Sequence, residues 1–274
     1  MRSLWYQVAL PRQRAQDDVP PATPPFTETL MQPNGMVERR NEFSQPIGDP
    51  MTGWTPRPHP PDTAMVGHYC RVERVNAAHH AADLFAAYAT AADARDWTYL
   101  SAGPFADATH YANYLHGEEL KQDPLHHAIV DAATGKAVGT AALMRIDRAN
   151  GVIEVGSIAY SPHLKRSRAG TEAMYLLMRR VFEELGYRRY EWKCDSLNTP
   201  SRRAAERYGF QYEGTFRQAV VYKGRSRDTA WFSIIDRDWP LLRSAFEQWL
   251  APENFDADGR QRHSLTDLRA RNKE

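Results

Sequence analysis

Three cations, Lys165, Arg166 and Arg168, crowd into four positions of the stretch SPHLKRSRAGTEAMYLL (161–177), with Gly170 just behind them. A strand-like run ends at Ser161-Pro162, and a helical pattern begins directly after the cations. The first turn of a helix already presents unpaired N–H groups and the positive end of its dipole. Cations gather there when an anion joins them, so these residue types point to phosphate held by backbone amides and supplemented by side chains. The competing reading is a solvated turn whose cations pair with nearby glutamates, and the residues alone leave both open. Neither common nucleotide signature is present: no GxxxxGK[ST] occurs, and no GxGxxG follows a strand.

A second chemical group precedes that loop. In GVIEVGSIAY (151–160) a period of two places Val152, Glu154, Ile158 and Tyr160 on one face. Glu154 is then a carboxylate placed to take a proton, a surface glutamate on an edge strand, or the partner of Lys193 across a sheet. Gly156 within a strand implies a bulge or a close backbone approach. Other reactive sets are weaker. His79-His80 and His126-His127 are adjacent pairs whose side chains diverge, and there is no HExxH, so no metal site is expected. Cys194 alternates with Tyr190 and Trp192 and reads as core.

The elements that must position these groups follow from periodicity and turn signals. GHYCRVERV (67–75) reads as a strand, AAHHAADLFAAYATA as a helix, and ATHYANYLHGEEL (108–120) as a second helix. HHAIVDAA and KAVGTAALMRI are strands joined at Thr134-Gly135. After strand 151–160 come an amphipathic helix over 169–185, with Glu172 on its polar side, and the strand RRYEWKCD (188–195). A short helix follows, with Thr199 as N-cap, Pro200 at N1 and Gly209 past its end. FQYEGTFRQAVVYK and RDTAWFSII form a hairpin about Gly224, and Trp239 to Leu250 closes the domain as a helix. The pattern is one mixed α/β or α+β domain without internal repeats.

Twelve of the 18 prolines fall before residue 62, which sets residues 1–65 apart as an extended arm whose first ~30 residues are expected to be mobile. Met31 and Met36 are alternative starts. The domain spans 66–250, and 251–274 is a polar tail expected to fray. The net charge of +1 excludes bulk attraction to nucleic acid or a membrane surface. No apolar run approaches 18 residues, and the N-terminal segment lacks a signal-peptide cleavage pattern. Two cysteines cannot build a disulfide framework or a CxxC site, which favours a reducing, cytoplasmic setting.

Strand, basic loop, helix, strand and NTPSRRAAERYGF, in that order, resemble the GNAT N-acyltransferase superfamily, and more narrowly its branch acetylating ribosomal-protein N-termini. The resemblance covers residues 66–236 and is strongest from Val152 to Thr215. It implies an α+β fold: a central, mostly antiparallel twisted sheet flanked by helices, with a splayed pair of parallel strands holding the acyl-CoA. Acetyl-CoA is the implied co-substrate and its pyrophosphate the anion at the helix mouth. The implied CoA-binding residues are Lys165, Arg166, Ser167, Arg168, Ala169, Gly170 and Thr171, with Ile158 and Tyr160 on the strand and Asn198 and Ser201 at the following helix. The family loop, Gln/Arg-x-x-Gly-x-Gly/Ala, reads here as Lys165, Arg168 and Gly170, with an arginine at the first glycine. Glu154 falls at the position of the amine-deprotonating carboxylate. The usual thiolate-protonating tyrosine is replaced by Ala205, which leaves Ser201 or water as acid; Tyr208 reads as core. The loop DWTYLSAGPF (96–105), with Trp97, Tyr99 and Phe105, would wall the acceptor.

Direct transfer needs a neutral amine. At pH 7 roughly a tenth of an α-amine is neutral, against less than about one in a thousand lysines. The expected acceptor is therefore a small molecule or peptide with a low-pKa primary amine. A catalytically idle GNAT fold that binds CoA or a protein, and a nucleotide-binding module using the same loop, are the alternatives.

Overall fold

The computed structural model describes residues 39–272. The expected mobility of the first ~30 residues and the alternative starts lie outside those residues. The chain divides at Trp54/Thr55 into two units. In the first, β1 (Arg39–Arg40) pairs antiparallel with β2 (Pro46–Ile47), and the Asn41 side chain closes the turn by accepting from the N–H groups of Phe43 and Gln45.

The second unit, from Thr55 onward, is built on an eight-stranded sheet. Its strands are β3 (Met65–Val66), β4 (Cys70–Arg74), β5 (Leu125–Asp131), β6 (Ala137–Asp147), β7 (Val152–Tyr160), β8 (Arg189–Asp195), β9 (Gln211–Tyr222) and β10 (Arg225–Ile235). Their order is β3-β4-β5-β6-β7-β8-β10-β9, and every pair is antiparallel except β7–β8. Short turns join β3 to β4, β5 to β6, β6 to β7 and β9 to β10, two helices lie between β4 and β5, and the parallel pair β7–β8 is linked through the helix Arg168–Arg179, the kind of crossover that parallel strands require. The fold is α+β, as the alternating pattern predicts.

Helices cover both faces. On one face α1 (Ala77–Ala89) and α2 (Ala108–Glu119) enclose a small core of Leu84, Tyr111, Leu115, Ala128 and Val130. The opposite face carries the main core under α3 (Arg168–Arg179), α4 (Thr199–Tyr208) and α5 (Trp239–Leu250). In α3, Met174, Leu177 and Met178 are all but fully buried, each contributing about 1.5–3 kcal/mol by leaving water. A π-type turn, Arg180–Glu184, extends α3 until Gly186 turns away at φ +66°.

Three local expectations change, at Glu172, at the start of α4 and after α5. Glu172 is not on a polar face: it is 5% exposed and accepts from the backbone N–H groups of His68, Tyr69 and Cys70. Three amides replace its lost hydration, and the carboxylate clips the β3–β4 turn to α3. The N-cap of α4 is Asn198, whose side chain accepts from Ser201 N–H; Thr199 is already helical. Residues 55–65 of the arm belong to the second unit, where Arg180 donates to the Thr63 carbonyl and Tyr187 to that of Pro58. The segment after α5 does not fray. It forms a short 3-10 turn and α6 (Leu265–Arg271), which has a capping box at Ser264/Asp267 and buries Leu265 and Leu268.

Candidate active site

Strand β7 has nine residues, yet only its first four pair with β8, from Val152↔Arg189 to Val155↔Trp192. Beyond Val155 the strands part. A bulge against β6 begins at this point: register shifts between Thr140/Ala159 and Ala142/Gly156, and Ser157 takes φ +47°. Gly156 is a close approach, since a Cβ there would stand 2.5 Å from the Met144 sulfur. The gap opens into a cavity of about 1410 Å³.

At one end of the cavity lies the basic loop. Ser167 caps α3 by accepting from Gly170 N–H, at 2.9 Å, and Thr171 N–H donates to the Ser167 carbonyl. Lys165 and Ser167 N–H bond within the turn to Ser161 and Leu164. The amides of Arg166, Arg168 and Ala169 are left without a protein acceptor among the described residues. Backbone donation from this loop therefore narrows from the whole 166–171 run to three groups, because the turn takes up the Ser167 donor, the cap that of Gly170 and the Ser167 carbonyl that of Thr171. The arginine at the first-glycine position causes no strain: Arg168 is the first residue of α3, and the left-handed residue is Arg166 at φ +57°. Gly170 is needed for packing, since a Cβ would lie 2.5 Å from the Leu164 carbonyl oxygen. Lys165 is ion-paired with Asp96, whereas Arg166 and Arg168 have no carboxylate partner among the described residues.

Main-chain atoms of Ile158 and Tyr160 run along the open side of β7, and both residues line the cavity. The Tyr160 hydroxyl donates to the Gly170 carbonyl at 2.9 Å, and burial pushes its pKa well up, so it serves as a buttress. Across the gap stand Asn198 and Ser201. Ser201 Oγ accepts from the Trp192 indole at 3.0 Å and neighbours Cys194, whose thiol burial pushes upward. A thiol held protonated is no nucleophile.

Glu154 lies at the head of the splay, 3% exposed. Its Oε2 pairs with Arg145 at 2.7 Å and Lys193 at 2.9 Å, and Lys193 also holds Glu191. The pairing with Lys193 is the arrangement the strand spacing allowed. Both cations occupy one oxygen. Oε1 has no donor among the described residues and would lie 3.4 Å from a Cβ at Gly156. Asp195 is a second carboxylate on the wall, ion-paired to nothing among the described residues, accepting instead from Leu197 N–H and Tyr222 Oη.

Residues 71–211 match the family model described as an acetyltransferase (GNAT) domain. A GCN5-related N-acetyltransferase of Brucella melitensis is 50% identical, covers 80% of this chain and all of its own, and superposes with a TM-score of 0.78. A probable GNAT acetyltransferase of Chromobacterium violaceum is 38% identical over 72% of this chain and 98% of its own, with a TM-score of 0.67. An uncharacterized N-acetyltransferase of Bacillus licheniformis is 29% identical over 52% of this chain and 80% of its own. This chain is a GNAT acetyltransferase.

Within the GNAT frame, thirteen of the fifteen residues expected at the site border the cavity, all but Ala169 and Phe105. The Ala169 side chain is core, and only its amide faces the loop. Phe105 packs on Tyr111, Tyr114 and Trp97 in the smaller core, so it supports the Trp97 loop from behind. Trp97 and Tyr99 do line the cavity; Lys223, at the β9–β10 tip, donates to the carbonyls of Trp97, Ala102 and Gly103 and latches that loop. Sequence reasoning missed Asp195, Arg207 and the wall supplied by Trp249, Phe255 and Gln261. Asp195 ends a strand beside the splay, a position that would have signalled it. No local pattern marks the others. Ala205, at the usual tyrosine position, is fully buried, while Tyr208 borders the cavity but stacks on Phe246. Among the described residues no group of three or more His, Cys, Asp or Glu side chains could hold a metal, and no helix is long and apolar enough to cross a membrane.

Proposed function

We propose that this protein moves the acetyl group of acetyl-CoA directly onto a primary amine of low pKa: a peptide N-terminus, an amino acid or a small aminoacyl compound. The observation that carries this reading is the β7–β8 splay, which joins three unpaired amides at one end to the Glu154 carboxylate at the other. A diphosphate fits the donor set, because backbone N–H groups at a helix start and Arg166, which has no carboxylate partner among the described residues, compensate its charge. The open edge of Ile158 and Tyr160 offers main-chain hydrogen bonds to the pantetheine arm. Acetyl-CoA supplies the activated thioester, and the rest falls to the chain's own groups.

Glu154 takes the proton from the incoming amine, through Oε1 or a water on it, because Arg145 and Lys193 fix Oε2. Ser201, positioned by Trp192 Nε1–H, is the hydroxyl that would give a proton to the departing thiolate in place of the absent tyrosine. Trp97 and Tyr99 pack an apolar group beside the amine. No covalent enzyme intermediate is needed, in keeping with the raised Cys194 thiol. The restriction to low-pKa amines follows from the chemistry: drawing on lysine costs roughly 3–4 kcal/mol in available neutral nucleophile.

Hydrogen exchange tests the reading. With acetyl-CoA bound, the amides of 166–169 should exchange more slowly, and Arg166→Glu with Arg168→Glu should weaken binding by about tenfold or more. Unchanged exchange in that segment with ligand demonstrably bound would remove the assignment.

A further inference from the structure

At the cavity end near α3, six side chains form a continuous run of rings and guanidinium groups. Arg168 lies 5.1 Å from the Tyr69 ring centroid and 4.6 Å from that of Phe255. Phe255 packs edge-on against Trp249 at 5.2 Å. Arg207 lies 5.0 Å from Trp249 and 5.3 Å from Tyr208. Both arginines line the cavity, and neither has a carboxylate partner among the described residues. Arg207 makes one long bond, from Nη1 to Thr171 Oγ1 at 3.3 Å. A third guanidinium, Arg269, sits behind on the carbonyls of Glu206 and Arg207, with its buried Nε unpaired.

The stack depends on the segment after α5. Trp249 Nε1 donates to Gln261 Oε1 at 2.8 Å. The buried Asn254 bonds the carbonyls of Trp249 and His263 and accepts from His263 N–H. Tyr69 Oη donates to the Leu250 carbonyl, and Glu172 fixes the Tyr69 turn. Several ordered bonds thus hold two planar cations rigid at the cavity rim. Aromatic faces attract guanidinium groups but leave their N–H forks free in the ring plane. A rigid pair of unneutralised forks suits a phosphomonoester, whose charge near −2 takes a fork on each side.

We propose that Arg168 and Arg207, held by the segment 249–261, form a second anion subsite that takes the 3′-phosphate of coenzyme A, separate from the amides that face the diphosphate. This rests on the acetyl-CoA reading above. It also gives the polar C-terminal segment a role: it carries two of the four rings, Trp249 and Phe255.

Titration calorimetry with CoA and 3′-dephospho-CoA, on wild type, Arg207→Gln and Phe255→Leu, tests it. Wild type should bind CoA about tenfold or more tightly than 3′-dephospho-CoA, as expected from a charge-assisted bidentate contact. Arg207→Gln should weaken CoA binding about tenfold and leave 3′-dephospho-CoA within about twofold, which also shows that the variant is folded. Phe255→Leu should lower the same ratio by freeing Arg168. Equal wild-type affinities, or an Arg207→Gln loss shared by both ligands, would overturn the subsite and leave the acetyl-CoA reading standing. Binding of neither ligand would overturn both.

Discussion

At the scale of single residues, Glu154 is where chemistry and electrostatics meet. Two cations on one oxygen hold the carboxylate in place, and the other oxygen faces the bulge at Gly156. Glu154→Gln keeps the shape and removes the proposed base. Turnover should fall on the order of 10²-fold while CoA affinity holds, read as kcat against the dissociation constant. Lys193 keeps Glu191 as partner, so the variant is expected to fold; its thermal midpoint checks this. Asp195→Asn is the comparison, because Asn retains acceptors for Leu197 N–H and Tyr222 Oη, and less than a tenfold loss is expected there. A reversal of the two effects would move the base to Asp195. Ser201→Ala should slow the reaction about tenfold and Tyr208→Phe much less.

At the scale of elements, one strand pairing only half its length makes the site, and one helix start supplies its donors. Gly170→Ala probes that start. Its Cβ would meet the Leu164 carbonyl, a backbone atom that cannot turn aside, so a cost of about 1–3 kcal/mol in denaturant unfolding is expected, with weaker CoA binding as the 166–169 amides shift. Near wild-type values for both would show that the loop is loosely packed. The elements themselves were largely legible. Alternation marked β5 to β8, the Gly224 turn marked the β9–β10 hairpin, and a 3.6-residue stripe marked α3. The motif order carried most of the cavity wall. What stayed hidden is non-local. The Asn198 cap depends on one side-chain bond, and the burial of Glu172 depends on amides about 100 residues away. Arg207 and α6 become meaningful only where α4, α5 and the last segment meet, which no period in the chain encodes.

At the scale of the whole molecule, the sheet imposes a pH limit. His127 is 1% exposed in the central strand β5, and burial pushes its imidazole down to about 3; burial also lowers His126. The unfolded chain takes up protons near pH 6.5, before the folded one does. Stability present above pH 6.5 is therefore lost as pH falls from 6.5 toward 3, at up to about 1.4 kcal/mol per pH unit for each such histidine. The denaturation midpoint should drop between pH 7 and pH 5, and His127→Leu should flatten that slope; a midpoint insensitive to pH in this range would show that the burial is relieved in solution. The same sheet, splayed between β7 and β8, carries the proposed transfer of acetyl groups to amines. The most direct measurement places the protein with labelled acetyl-CoA and two peptides in one tube, one with a free N-terminus and one N-blocked with an internal lysine. Enzyme-dependent label on the α-amine, with little on the lysine, is the predicted result. Preferential label on the lysine would contradict the acceptor assignment, and no transfer to any amine while acetyl-CoA binds would contradict the transferase reading itself.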